Sequence, residues 1–169
     1  MKWFPLTLLL ATGSAFAQTG NGYNLNDGKI GFSVPEGWSA IMEKSDGNPQ
    51  AIIFHVVDPA TAGTDDTASV TVKTRQLKST ADFADATQNE MMLSKAQTGY
   101  EAVLDGSTSG VHHYHVLRGK TRYDIRDRFT LIGTIAVQVR CQRPLLDATT
   151  RDWISRFDSG CDSVAASVR

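Results

Sequence analysis

The chain has 169 residues, 41% hydrophobic and 21% charged, with 17 basic against 18 acidic side chains and a pI of about 6.4. That balance excludes a disordered chain and gives no overall nucleic-acid signature. The length suits one domain with a substantial core rather than two.

Residues 1–17 read as a secretory signal. Lys2 supplies the positive start, Phe4 to Thr12 the apolar stretch, and Ala15-Phe16-Ala17 the small-residue cleavage site that leaves Gln18 first. The apolar stretch is shorter than the roughly 20 residues of a membrane-spanning helix, and no Cys lies beside the cleavage site to carry a lipid. An uncleaved anchor is the rival reading. Export implies a periplasmic or secreted protein with no stable membrane insertion after cleavage, its formal charge shifted from −1 to −2 by the loss of Lys2.

Residues 18–28, rich in Gly and Asn, read as a flexible N-terminal segment. Lys29 to Val34 alternates as a strand and stops at the turn Pro35-Glu36-Gly37-Trp38. A second turn at Ser45 to Pro49 precedes the near-continuous apolar run Ala51 to Val57, which predicts a central strand. Asp58 to Thr67 is a loop, and Ala68 to Gln76 resumes strand alternation. Ser79 and Asp82 have capping spacing ahead of a helix over Ala81 to Thr98, with Phe83, Ala86, Glu90, Leu93 and Gln97 on its inner line.

Three strands follow as a meander over Val111 to Leu117, Arg122 to Leu131 and Thr134 to Gln142, with turns near Gly119-Lys120 and Gly133. Alternation puts Tyr123, Ile125, Phe129 and Leu131 on one face together with Ile135, Val137, Val139 and Cys141, and leaves Arg122, Arg126, Arg128, Gln138 and Arg140 on the other. A closing helix opens after Pro144 and Asp147, carries Trp153, Ile154 and Phe157 inward, and ends at Gly160, leaving 163–169 as a tail. Six strands and two helices in the order β-β-β-α-β-β-β-α, without a repeating βαβ pattern, predict an α+β fold: a mostly antiparallel sheet covered by two helices.

The two cysteines, Cys141 and Cys161, predict one structural disulfide in an oxidising compartment. A redox or metal pair is the competing reading, with neither a C-x-x-C motif nor a nearby His to support it. His113 and His115, two apart on a strand, can offer two imidazoles to one divalent ion, with His55 or the carboxylates of Glu101, Asp124 and Asp127 as candidate further ligands. The bland alternative is a solvated strand face. Arg118, Lys120, Arg122, Arg126 and Arg128 form a basic run suited to an acidic partner, against the alternative of ordinary cross-strand charge pairing.

Catalytic signals are absent. Gly106 to Gly110 has the outline of a nucleophile elbow but centres on Thr108 without a strand-to-helix transition, and Asp65-Asp66 lacks EF-hand spacing. Trp38, Trp153 and Tyr123 read as core or rim aromatics, with a shared ligand pocket as the alternative.

The strand running into Pro35-Glu36-Gly37-Trp38, followed by a middle helix, a meander and a closing helix, resembles the domain family of the bacterial envelope protein DcrB and the photosystem II extrinsic protein PsbP. The resemblance covers Lys29 to Asp158, within a single domain drawn at 29–162. It implies an α-β-α sandwich used as a binding, accessory or assembly module, generally not an enzyme, and supplies no catalytic residue. The chain departs from it in lacking a lipid-anchor Cys and in carrying the Cys141 and Cys161 pair. The expectation is a non-enzymatic exported protein, with no cofactor, that engages a protein partner in the cell envelope; an immunity protein against an envelope-targeted toxin is one specific form. The alternative is a small-ligand or divalent-metal module using His113 and His115.

Overall fold

The computed structural model describes residues 21–104 and 110–169. The signal reading, the first three residues of the expected flexible segment, and all but the last residue of the Gly106 to Gly110 turn lie outside the described residues.

Strands β1 (Asn21–Leu25) and β2 (Ile30–Val34) form an antiparallel hairpin. Its turn places Asn26, Asp27 and Gly28 at positive φ, the left-handed conformation that short polar residues and glycine tolerate best. The flexible-segment expectation is therefore corrected for residues 21–28. Leu25 is buried, and Tyr23 meets the Phe54 ring edge-on at 4.8 Å, so two alternating apolar residues suffice to dock the strand.

Among the described residues the main sheet has seven strands rather than six: of the six expected strands β2 lies in the hairpin, the other five join two unpredicted ones, and every pairing in the sheet is antiparallel. In chain order they are β3 (Ser39–Lys44), β4 (Gln50–Val56), β5 (Ala68–Gln76), β6 (Glu101–Ala102), β7 (Val111–Arg118), β8 (Thr121–Ile132) and β9 (Ile135–Pro144). In space they run β3-β4-β5-β9-β8-β7-β6. The two unpredicted strands are the edges: β3 is exposed at every residue and β6 has only two, so neither carries a half-buried alternation.

Register decides the two faces. Ile125 pairs with Gln142 and Phe129 with Gln138, while Cys141 pairs with Arg126 and Val139 with Arg128. Directly paired residues project to the same side, so the apolar stripes of β8 and β9 lie on opposite faces. The expected arrangement of one apolar and one charged face is thus corrected: each face is mixed. On one side, Ile52, Phe54, Val70, Val72, Val137 and Val139 form the larger core with the hairpin and α2 (Arg151–Ser167). On the other, Tyr114, Val116, Tyr123 and Ile125 form a smaller core with Tyr100.

Helix α1 (Phe83–Lys95) lies on this second side, preceded by a 3-10 turn at Thr80–Asp82 whose start is capped by Asp82 Oδ2, which accepts the Ser79 amide at 3.0 Å. Its inward contacts are polar. Glu90 meets Lys73 at 2.6 Å and Arg75 at 3.6 Å, and Ser94 is buried, whereas Leu93, expected inside, is 65% exposed. A sheet face carrying Lys73, Arg75, Gln138 and Arg140 selects a polar helix stripe over an apolar one.

Helix α2 begins where the Trp153 amide donates to Thr150 Oγ1. It does not stop at Gly160 but continues to Ser167, and the expected C-terminal tail packs into the fold. Val164 is fully buried, the Ser33 amide donates to Ser167 Oγ at 2.9 Å, and Arg169 exchanges two backbone hydrogen bonds with Gly31. Gly160 is glycine for space: a Cβ there would lie 2.5 Å from Trp38 Cζ2 and 3.2 Å from Pro35 Cγ. The Cys141–Cys161 disulfide joins β9 to the middle of this helix, with Cα atoms 6.2 Å apart.

Gly160→Ala should destabilise the fold by about 1–3 kcal/mol through overpacking against Trp38, read as a lowered urea midpoint and a shifted tryptophan emission. Reduction of the disulfide should cost roughly 3 kcal/mol in the chain-entropy model, since it closes a loop with a sequence separation of 20. A reduced protein with an unchanged midpoint would contradict that expectation.

Candidate functional site

The turn at Gly119-Lys120 sets Arg118 opposite Thr121, and from there the β7–β8 ladder places His115 opposite Asp124 and His113 opposite Arg126. His113, His115 and Asp124 therefore converge on the α2 side of the sheet. His113 Nε2 lies 2.6 Å and His115 Nε2 3.2 Å from the same carboxylate oxygen, Asp124 Oδ1. The other oxygen, Oδ2, faces Arg143 Nη2 at 3.2 Å and Arg126 Nε at 3.9 Å. The ligating atoms of the three residues all fall within 4.8 Å of one another.

Burial and charge shape this cluster. Side-chain exposure is 6% for Asp124, 9% for His113 and 21% for His115, so access runs over His115. Burial pushes the Asp124 carboxyl up, but the His113 hydrogen bond and the charges of Arg143, His113 and Arg126 outweigh it and hold the group below its ordinary range. Arg126 also reaches Asp158 of α2 at 3.2 Å. Among the described residues, two arginines and two aspartates are thus paired beside the imidazoles. Of the other candidate ligands, Glu101 lies opposite His115 but pairs with Arg122, while His55 and Asp127 project to the α1 side.

The basic run does not form one patch. Arg122, Arg126 and Arg128 lie on the α2 side and pair with Glu101, Asp158 and Asp162, the last at 2.6 Å. Arg118 lies on the α1 side, 4.7 Å above the Tyr123 ring and bonded to Gln142 at 2.7 Å, and Lys120 is exposed in the turn.

The α1 side holds a second buried charge pair that periodicity alone missed. Asp127, fully buried, accepts from Arg140 Nε at 2.7 Å and Nη2 at 2.8 Å and from the Tyr114 hydroxyl at 3.1 Å. Burial and the adjacent Asp127 charge push the Tyr114 phenol up to about 12. Nearby, burial lowers the pKa of His112, whose Nε2 lies 3.1 Å from the Tyr100 hydroxyl.

Trp38 and Trp153 do come together, with Phe157 between them, whereas Tyr123 belongs to the other face. They line an open cleft of about 640 Å³ between the Pro35–Trp38 turn, the end of β4 and α2. The Trp153 ring stacks on Phe157 at 5.1 Å and donates through Nε1 to the Val57 carbonyl at 2.7 Å. Asp58 holds this corner by accepting the Ala60 amide and the Thr149 hydroxyl. Val57 is left 65% exposed at the rim, with Glu36 and Arg156 beside the cleft. Asp66, of the acid pair that lacks EF-hand spacing, accepts hydrogen bonds from the Tyr123 and Thr121 hydroxyls.

Comparison with solved structures finds the same fold at low identity. LpqN, involved in cell envelope biogenesis of Mycobacterium tuberculosis, matches with a TM-score of 0.51 and 14% identity over 90% of this chain and 86% of its own. A crystal structure from Bacteroides thetaiotaomicron VPI-5482 matches with a TM-score of 0.50 and 14% identity over 90% of this chain; the chain spans about half of that protein, 48%. No protein-family model and no curated protein sequence matches. The DcrB and PsbP likeness therefore stays a resemblance.

Asp127→Ala should cost about 3 kcal/mol, because it leaves the buried Tyr114 hydroxyl without its acceptor and the partly buried Arg140 guanidinium with Ser94 Oγ at 3.3 Å in place of its carboxylate. Urea unfolding should show the double variant Asp127→Leu, Arg140→Met to be more stable than Asp127→Ala alone. The reverse order would place the cost elsewhere.

Proposed function

We propose that the chain is a non-enzymatic, exported accessory protein of the cell envelope that binds a protein partner at the aromatic cleft beside Trp38 and Trp153. The cleft carries this reading. Interface cores favour large, rigid aromatics ringed by polar groups, and here the partly buried Trp38 and the exposed Val57 front the cleft over the buried rings of Trp153 and Phe157, with Glu36 and Arg156 exposed near the rim.

Two further observations support an envelope setting, and no helix among the described residues is long and apolar enough to cross a membrane. The signal-like segment and a disulfide suit an oxidising compartment. The fold is similar to that of LpqN, a protein involved in cell envelope biogenesis. Within this reading, the finer proposal is an immunity protein that neutralises a toxin delivered to the envelope.

The test is affinity capture of the tagged mature protein from its native envelope, with a Val57→Asp, Arg156→Glu variant in parallel. The expected outcome is one envelope or toxin-like protein enriched by the native chain at least about tenfold over the variant, a loss of about 1.4 kcal/mol. No enrichment, or equal enrichment by both, would remove the cleft from the proposal. For the immunity version, co-expression with a toxin-like gene adjacent to this one should restore growth.

A further inference from the structure

We infer that His113, His115 and Asp124 form a site for a single divalent transition-metal ion, with zinc as its natural class of occupant. Three features carry this inference, and none depends on the partner-binding reading. First, the three donors converge on one point from two paired strands, so the backbone ladder itself sets their spacing. In a tetrahedral zinc site with bonds of about 2.0–2.1 Å, neighbouring ligand atoms lie roughly 3.4 Å apart. Asp124 Oδ1 sits 2.6 and 3.2 Å from the two imidazole nitrogens, so small outward shifts of the side chains open the site to an ion.

Second, Asp124 is held as metal-ligating carboxylates commonly are, with one oxygen toward the site and the other fixed from behind. Oδ2 is taken by Arg143 at 3.2 Å, with Arg126 at 3.9 Å, which leaves Oδ1 as the coordinating atom. Among the described residues, Asp124 and Asp158 offset the charges of Arg126 and Arg143, so the arginines are paired and not free to repel a cation. Third, the donor set selects a class of ion. Two imidazoles and one carboxylate suit zinc, copper or nickel, whereas calcium and magnesium prefer all-oxygen shells.

Three protein ligands leave at least one coordination position for water or an incoming group. Partial exposure of His115 gives the ion a route in. The site is therefore of the open kind, able to take up and release metal, in contrast to the closed four-ligand sites that hold folds together.

The experiment is calorimetric titration of the chelator-stripped mature protein with zinc sulfate, alongside His113→Ala, His115→Ala and Asp124→Asn variants. Magnesium serves as the control ion. Circular dichroism checks that each variant is folded; His115→Ala, at the most exposed of the three positions, keeps the test decisive if Asp124→Asn does not fold. The expected result is one zinc per chain, no magnesium binding, and at least a tenfold loss of affinity in each folded variant. In parallel, cobalt should give visible d–d absorption in the native chain, and zinc should raise its Tm but not that of His115→Ala. Absence of zinc binding, or equal affinity in native protein and His113→Ala and His115→Ala, would overturn the inference.

Discussion

The antiparallel register of β7, β8 and β9 is the constraint on which the rest of this molecule depends. Side chains on a strand alternate with a period of two, so a shift of one residue would exchange every group on β8 between the faces. With Ile132 opposite Ile135, Asp124 falls beside Arg143 on the α2 side and Asp127 beside Arg140 on the α1 side. With Arg118 opposite Thr121, His113 and His115 are carried to the first acid and Tyr114 to the second. One ladder thus distributes two buried carboxylates to two faces, each among its own cations. An alternative register would bury unpaired charges, which is costly enough to specify the native one.

The two sides of the sheet use this arrangement differently. On the α2 side, the apolar parts of β4, β5 and β9 receive both the helix and the N-terminal hairpin. The disulfide ties the helix to β9, and backbone bonds between Gly31 and Arg169 tie its end to β2. The elements farthest apart in the chain are therefore packed together, so the aromatic cleft and the histidine cluster rest on a braced scaffold. The α1 side is held by fewer apolar contacts and more polar ones: Glu90 with Lys73 and Arg75, and Asp127 with Arg140 and Tyr114. Such contacts contribute less per group in water, but they are directional and fix where the helix sits.

Much of this was legible beforehand. The α+β class, the central strands, both helices and the cysteine pair follow from alternation, turn residues and compartment. The candidate metal ligands His113 and His115 follow from their spacing, and Asp124 was within reach because counting outward from the Gly119-Lys120 turn puts it opposite His115. The β8–β9 turn was less clear. Starting β9 one residue earlier, at Thr134, leaves its register open, and the assumption that apolar stripes coincide then assigns the wrong faces. The edge strands β3 and β6 were not legible, because an edge is stabilised by a neighbour's ladder and needs no pattern of its own.

By itself, the sequence determined the central strands, both helices and which residues could carry chemistry, because periodicity and turn propensity are local properties. Only the tertiary structure decided which of those residues meet. It divided the basic run between two faces, joined Trp38 to Trp153 while sending Tyr123 elsewhere, and made Gly160 a packing position rather than a helix end. The reason is that each outcome turns on a partner distant in the chain: a register, an indole against a helix, or an acid that neutralises one arginine rather than another.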